Sequence, residues 1–276
     1  GMACSIRTRA FRLMAMRAVL LVSLIGVLGI VGLSQVQSFS SRVTSKVTGD
    51  AAGDSPGCEN ERLLTSDGID VWKLSQKQAF YLVAGMTIDA DGSPRAYNPD
   101  NSGLDDLKNA RGDDGWVGIL VQDGKPVIQG PNDPAPGFYV SKTALEDRTK
   151  RETDPARFVD SEKIPFIVLP WDAARQAGAR VGDFAIVQNL RNGRMCAAIY
   201  ADMGPGLGEG SIALARALRI NPDARDGGTY RGVLYIVFPG SGNHRPRPLE
   251  EINTEAQRLL DGSGGIDPVT RCVTGP

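Results

Sequence analysis

The sequence predicts a mainly β domain with a few helices, and two observations carry this prediction. Thirty-three glycines and 17 prolines punctuate short apolar stretches of the 276-residue chain, the pattern of strands joined by tight turns. Helical spacing of apolar residues is clearest in residues 211–220, and residues 250–260 indicate an amphipathic terminal helix. With 41% hydrophobic and 23% charged residues, the composition excludes a wholly disordered, collagen-like or coiled-coil chain.

Six apolar runs are predicted to form the strands. In chain order they are residues 80–89, 115–122, 164–169, 183–189, 194–201 and 232–238. Asp-Gly at 91–92 and 123–124 and Asn-Gly at 192–193 are strong hairpin-turn dipeptides. Residues 80–140 are therefore expected to add hairpins to a β-rich core.

The ionisable residues exclude several classes of function. His244 is the one histidine of the chain, so a zinc site built on several histidines is excluded, and no metal or other cofactor is predicted. The formal net charge of -1 argues against a nucleic-acid binder. After residue 50 the chain has 25 basic and 31 acidic residues, and this acidic excess suits a cationic ligand better than an anionic one.

The N-terminal residues have the pattern of an export segment. Four arginines at positions 7–17 precede a charge-free apolar run at 18–33, which is shorter than the roughly 20 residues of a spanning helix. We predict an export signal or membrane anchor at 1–34, a flexible tether at 35–57 and a catalytic domain at 58–276. The protein is expected to be secreted or periplasmic, touching a membrane only through this N-terminal segment.

Cysteine positions fit an oxidising compartment. Cys58 and Cys272 flank the predicted domain, and a disulfide between them would tie its ends together. Cys196 falls within a predicted strand and is expected to be a small buried apolar residue.

Two carboxylates flank a glycine-rich loop between a strand and a helix. Asp202 ends the strand, Glu209 precedes the helix, and residues 203–208 between them include three glycines. Hydrolysis of a glycosidic bond needs such a pair, one carboxyl group protonated and the other ionised. Desolvation after an apolar strand favours Asp202 as the acid, whereas the helix N-terminus favours ionised Glu209 as the base. Alternatively, the two residues only cap the turn and the helix.

Seven motifs in order resemble the chitosanases of glycoside hydrolase family 75. They are AGMTIDADG (84–92), AYNPD with GLDDLKNA (96–110), DPAPGFYVSKTAL (133–145), FVDSEKIPFIVLP (158–170), YADMGP (200–205), GEGSIALA (208–215) and VFPGSG (237–242). The resemblance implies an exported endo-chitosanase that cleaves β-1,4 bonds between glucosamine units with inversion. It also implies that Asp202 and Glu209 are the catalytic residues.

A second resemblance concerns the fold. Double-psi β-barrels, such as those of expansins and rare-lipoprotein-A lytic transglycosylases, share an order of elements with this chain. That order is a strand, an Asn-Gly turn, a second strand, a D-x-GP motif and an apolar helix. We therefore predict a six-stranded double-psi-like β-barrel core with added hairpins. A peptidoglycan-cleaving enzyme of the lytic transglycosylase type and a non-catalytic carbohydrate-binding module remain alternatives.

Further side chains are predicted to bind the polysaccharide. Acidic residues are expected to pair with glucosamine ammonium groups, and aromatic residues are expected to offer flat faces to sugar rings. Thr87 and Tyr200 are candidates for orienting a catalytic water. The predicted substrate-binding residues are Asp89, Asp105, Asp133, Trp116, Tyr139 and Tyr200. The polysaccharide is the predicted partner, and the protein is expected to be a monomer.

Overall fold

A computed structural model describes residues 61–74, 78–113 and 115–274. Its strands are β1 (Arg62–Ser66), β2 (Ile69–Lys73), β3 (Phe80–Asp89), β4 (Arg111–Gly112), β5 (Gly115–Trp116), β6 (Val121–Gln122), β7 (Lys125–Pro126), β8 (Phe166–Val168), β9 (Phe184–Asn189), β10 (Met195–Asp202), β11 (Glu209–Ser211) and β12 (Thr229–Phe238). Its α-helices are α1 (Trp171–Gln176), α2 (Ile212–Leu218), α3 (Leu249–Gly262) and α4 (Asp267–Thr274).

Six of these strands close into a barrel. Their order is β3-β11-β8-β10-β9-β12, and β12 returns to pair with β3, so the sheet closes on itself. Two neighbouring pairs, β8 with β10 and β3 with β11, are parallel, and the others are antiparallel. The predicted mainly β class with a six-stranded barrel core is confirmed. The hairpins β4–β5 and β6–β7 are the additions expected between residues 80 and 140.

The barrel buries side chains on both of its faces. Along β10, Cys196, Ala198 and Tyr200 pack in one apolar cluster, and Ala197 and Ile199 pack in another. The helix α3 covers the second cluster with Ile252, Ala256 and Leu260, spaced four residues apart on one helix face. Because both faces are covered, residues 184–187 of β9 and 195–201 of β10 are continuous apolar runs.

Some local predictions differ from the structure. Residues 115–122, predicted as one strand, contain only β5 and β6, separated by bends. Asp91 and Gly92 do form a turn, but no strand follows to complete a hairpin. The turn at Asp123-Gly124 does join β6 to β7, with positive φ at both residues. The hairpin β1–β2 and the helices α1 and α4 were not predicted.

Two of the cysteines lie among the described residues. Cys196 is fully buried, as predicted, but it is disulfide-bonded rather than a free apolar residue, and Cys272 is also disulfide-bonded. Cys58 lies outside the described residues, so its bond to Cys272 remains a prediction. The predicted export segment and tether also lie outside them. Within the described part of the chain, every helix is too short or too polar to cross a membrane.

Candidate active site

Asp202 and Glu209 lie on the two strands that flank β8, and both are opposite the same β8 residue. Asp202 of β10 and Glu209 of β11 both pair in register with Val168. Neighbouring strands lie about 4.8 Å apart, so the two Cα atoms are two strand spacings apart, which is at most about 9.5 Å because the barrel wall is curved. The loop 203–208 connects the two strands at one mouth of the barrel.

Both side chains line a cavity of about 460 Å³, which we call the carboxylate cavity. Its acidic lining residues are Asp89, Asp91, Asp105, Asp202 and Glu209. Two glycines of the connecting loop are required by this geometry. Gly208 has a φ of +89°, and a Cβ atom on Gly204 would lie 2.5 Å from Oε2 of Glu209.

The Asp202 carboxylate is buried and bound to backbone amides. The residue is 8% exposed, and its Oδ1 accepts hydrogen bonds from the N–H groups of Ala144 (2.9 Å) and Met203 (2.8 Å). Burial raises the pKa of Asp202 to about 7, although both hydrogen bonds and the charge of Lys142 act in the opposite direction.

The Glu209 carboxylate has a different environment. Among the described residues, no hydrogen-bond donor or cation is paired with it. Burial, followed by the charges of Asp202 and Asp105, raises its pKa to about 7. The expectation that a helix N-terminus would favour its ionisation is wrong, because Glu209 belongs to β11 and α2 begins only at Ile212.

Asp89 and Asp91 extend the acidic pair into a cluster. Carboxylate oxygens of Asp89, Asp91 and Asp202 all lie within 4.8 Å of one another. Burial, followed by the neighbouring carboxylates, raises the pKa of Asp89 well above its usual value. Burial and the charge of Asp202 do the same to the pKa of Asp91. Oxygens at this spacing suit a hard cation or an ammonium group.

Several neighbours hold this cluster in place. Asp89 Oδ1 accepts a 2.6 Å hydrogen bond from the Asp91 N–H. The Ser141 hydroxyl lies 3.4 Å from Oδ1 of Asp91 and 3.0 Å from the Gly118 carbonyl oxygen, and the Tyr97 hydroxyl lowers the pKa of Asp91. Gly118 leaves room beside it, since a Cβ atom there would lie 2.7 Å from both Asp91 carboxylate oxygens. Asp91 was missed by sequence reasoning because the Asp-Gly dipeptide was interpreted only as a turn.

The structure brings only part of the predicted binding set to the cavity. Asp89 and Asp105 line it. The other four predicted residues, Asp133, Trp116, Tyr139 and Tyr200, are not in its lining.

Local contacts account for three of these placements. Asp133 accepts a hydrogen bond from the Gly130 N–H at 2.8 Å, as a turn residue does. The ring of Trp116 lies 6.1 Å from that of Tyr139, and it is covered by the Arg111 guanidinium at 3.8 Å. It is Arg111 that lines the cavity.

Tyr200 lies inside the barrel. It is 1% exposed, and its hydroxyl lies 3.4 Å from the carbonyl oxygen of Leu169. Thr87, in contrast, is an exposed lining residue directly opposite Glu209 in the β3–β11 register. Of the two candidates for orienting a water, Thr87 is therefore the one beside the carboxylates.

The chain matches a known protein family. Residues 121–261 match the family described as fungal chitosanase of glycosyl hydrolase group 75. Both Asp202 and Glu209 fall within the matched range. A search of curated proteins finds no match.

Proposed function

Because the chain belongs to the glycosyl hydrolase group 75 family and is therefore a glycoside hydrolase, we propose that it is an endo-chitosanase acting by inversion. The observation that carries the proposal is the placement of Asp202 and Glu209 on either side of Val168, at one cavity. Such a pair supplies an acid and a base to opposite sides of a glycosidic bond.

The surroundings of the two carboxylates favour Glu209 as the acid. Two backbone N–H groups and Lys142 stabilise a negative charge on Asp202. In the part of the chain that the structure describes, Glu209 has no such support, and the charges of Asp202 and Asp105 oppose its ionisation. When the pair holds one proton, that proton therefore resides on Glu209, which reverses the assignment favoured by the sequence.

The reaction then proceeds by a single displacement. Glu209 donates its proton to the leaving glycosidic oxygen, and Asp202 removes a proton from the water that attacks the anomeric carbon from the opposite face. The products are one chain with a free hydroxyl group and one with an inverted reducing end. Inverting enzymes have about 6.5–9.5 Å between the two carboxyl groups, which leaves room for the attacking water. Thr87 lies opposite Glu209 in the β3–β11 register, on the side of the acid, so its role in orienting the water stays a prediction.

The acidic lining supports an amino-sugar substrate. Five carboxyl groups line the cavity against two cations, Lys108 and Arg111, and a glucosamine unit would bring an ammonium group to the carboxyl groups. An ammonium beside buried carboxylates is a charge-assisted contact that a neutral glucose unit cannot make.

We also propose that the protein is exported. Cys196 and Cys272 are disulfide-bonded, and disulfides persist mainly in oxidising compartments. The basic and apolar residues at the N-terminus have the pattern of an export segment.

The test is to incubate the full chain with chitosan, chitin, cellulose and peptidoglycan and to measure new reducing ends. We expect activity on chitosan, and NMR should show the inverted anomer first. Asp202→Asn and Glu209→Gln should each lower kcat at least ~10²-fold, the low end of general acid–base catalysis. Glu250→Gln, an exposed carboxylate on α3, is the matched control. Near-normal turnover in both site variants, or anhydro-sugar products from peptidoglycan alone, would refute the proposal.

A further inference from the structure

A second cavity adjoins the carboxylate cavity at Met203. It has a volume of about 350 Å³, and Met203 lines both cavities. Because Met203 directly follows Asp202 in the chain, the second cavity lies next to the proposed catalytic base. We call it the Trp171 cavity, after the large aromatic residue in its lining.

Trp171 offers an apolar platform at this position. It is the first residue of α1, three residues after Val168, and it is 55% exposed. Met203 beside it is 44% exposed. A sugar ring can pack its C–H face against exposed apolar groups beside a catalytic cavity, and an indole ring provides a large flat surface for this contact.

The charge of this cavity is opposite to that of the carboxylate cavity. Arg175 and Arg180 line it together with His244, and its described lining contains no acidic residue. The Arg175 guanidinium lies over the Trp171 ring at 4.8 Å and covers one of its faces. An ammonium group is disfavoured beside two guanidinium groups, whereas an amide oxygen can accept their hydrogen bonds.

The nearby acids form at most one weak ion pair with the two guanidinium groups. Asp172 lies 4.0 Å from Arg175, and both side chains are well exposed, so the pair is weak. Asp183 is buried and accepts hydrogen bonds from the backbone N–H groups of Arg180, Gly240 and Gly242. No ion pair joins the Arg180 side chain to any described residue.

We propose that the Trp171 cavity is a subsite for an uncharged, N-acetylated glucosamine unit of the substrate chain. The inference rests on the proposed chitosanase function and adds a specificity to it. The carboxylate cavity takes a glucosamine ammonium, and the Trp171 cavity takes an N-acetylated unit whose ring contacts Trp171 and whose amide oxygen faces the guanidinium groups. The preferred substrate is therefore partly acetylated chitosan, with the acetylated unit at a fixed position relative to the cleaved bond.

The test compares two polymers, fully deacetylated chitosan and a half-acetylated chitosan. Trp171→Ala should lower kcat/KM about fivefold on the half-acetylated polymer, the size of one aromatic contact, and less than twofold on the deacetylated one. Arg175→Gln combined with Arg180→Gln should raise kcat/KM on the deacetylated polymer. The ratio of kcat/KM on the half-acetylated polymer to kcat/KM on the deacetylated polymer should therefore fall. Tyr230→Ala, a fully exposed aromatic residue lining neither cavity, is the control.

Mass-spectrometric sequencing of the products gives a second readout. The wild-type protein should enrich acetylated units at one position beside the new chain ends, and Trp171→Ala should lose this enrichment. Equal effects of Trp171→Ala on both polymers, or random acetylation at the new ends, would overturn the subsite and leave the chitosanase function standing. A wild-type protein that cleaves neither polymer would overturn both.

Discussion

Replacing Asp202 with asparagine is expected to stabilise the folded protein at alkaline pH while removing its activity. In an unfolded chain the carboxyl ionises near its ordinary pKa of 3.8, but burial raises its pKa to about 7 in the folded protein. The folded state therefore holds the proton more tightly. The stability linked to this group is fully present below about pH 4 and is lost as the pH rises through about 7.

The size of the effect follows from that shift. A change from 3.8 to about 7 is about three pKa units, and each unit corresponds to about 1.36 kcal/mol, so the ceiling is about 4 kcal/mol. Asp202 shares its cluster with Asp89, Asp91 and Glu209, and local relaxation reduces the penalty. We therefore expect a gain of about 2 kcal/mol at pH 8, or about 4–8 °C in Tm for a domain of this size. The asparagine Oδ1 can still accept both backbone hydrogen bonds.

Urea and thermal unfolding of wild type and Asp202→Asn at pH 4 and pH 8 would measure this effect. The variants should differ little at pH 4, where the carboxyl is protonated in the folded protein and only about half ionised in the unfolded chain. Asp147→Asn is the control, because hydrogen bonds from Thr149 lower the pKa of that carboxyl, and its loss should not stabilise the protein at pH 8. Equal or lower stability of Asp202→Asn at pH 8 would refute the argument that Asp202 is destabilised by burial.

Three further predictions concern the same cavity. Gly204→Ala should lower kcat at least tenfold and lower the free energy of unfolding by about 1–3 kcal/mol, because the added methyl group would collide with the Glu209 carboxylate. Gly206→Ala is the control and should change neither quantity, because a Cβ atom on Gly206 would lie in open space. The pH profile of kcat/KM should fall above about pH 7 as Glu209 loses its proton, and a profile flat to pH 9 would contradict its role as acid. Asp105→Asn should move that fall to lower pH, since the Asp105 charge raises the pKa of Glu209; an unmoved profile would show that the two groups are uncoupled.

The sequence was sufficient for features that depend on neighbouring residues. β3 begins and ends where the apolar run at 80–89 does, and the Asn-Gly turn joins β9 to β10 as expected. The glycine loop indicated that Asp202 and Glu209 would meet, and the register opposite Val168 brings them to one cavity. Each of these features is encoded within about ten consecutive residues.

The remaining features depend on pairings between distant segments. Asp91 is positioned by Tyr97 and by Ser141, which is 50 residues away, so no local pattern distinguishes it from an ordinary turn residue. The direction of the Glu209 pKa shift was wrong for the same reason. The local sequence indicated a helix N-terminus, whereas long-range burial and two neighbouring charges determine the observed shift.

A closed barrel explains how the protein tolerates several carboxyl groups in one cavity. Asp89 ends β3, Asp202 ends β10 and Glu209 begins β11, so each is fixed by strands paired on both sides. Repulsion among ionised carboxylates would separate them in a flexible loop, but here it raises their pKa values instead. One carboxyl group can then stay protonated near neutral pH, as the acid must. The lower stability of the folded protein when buried Asp202 ionises and the retention of a proton by Glu209 thus have the same cause, which is that paired strands hold the carboxyl groups close together.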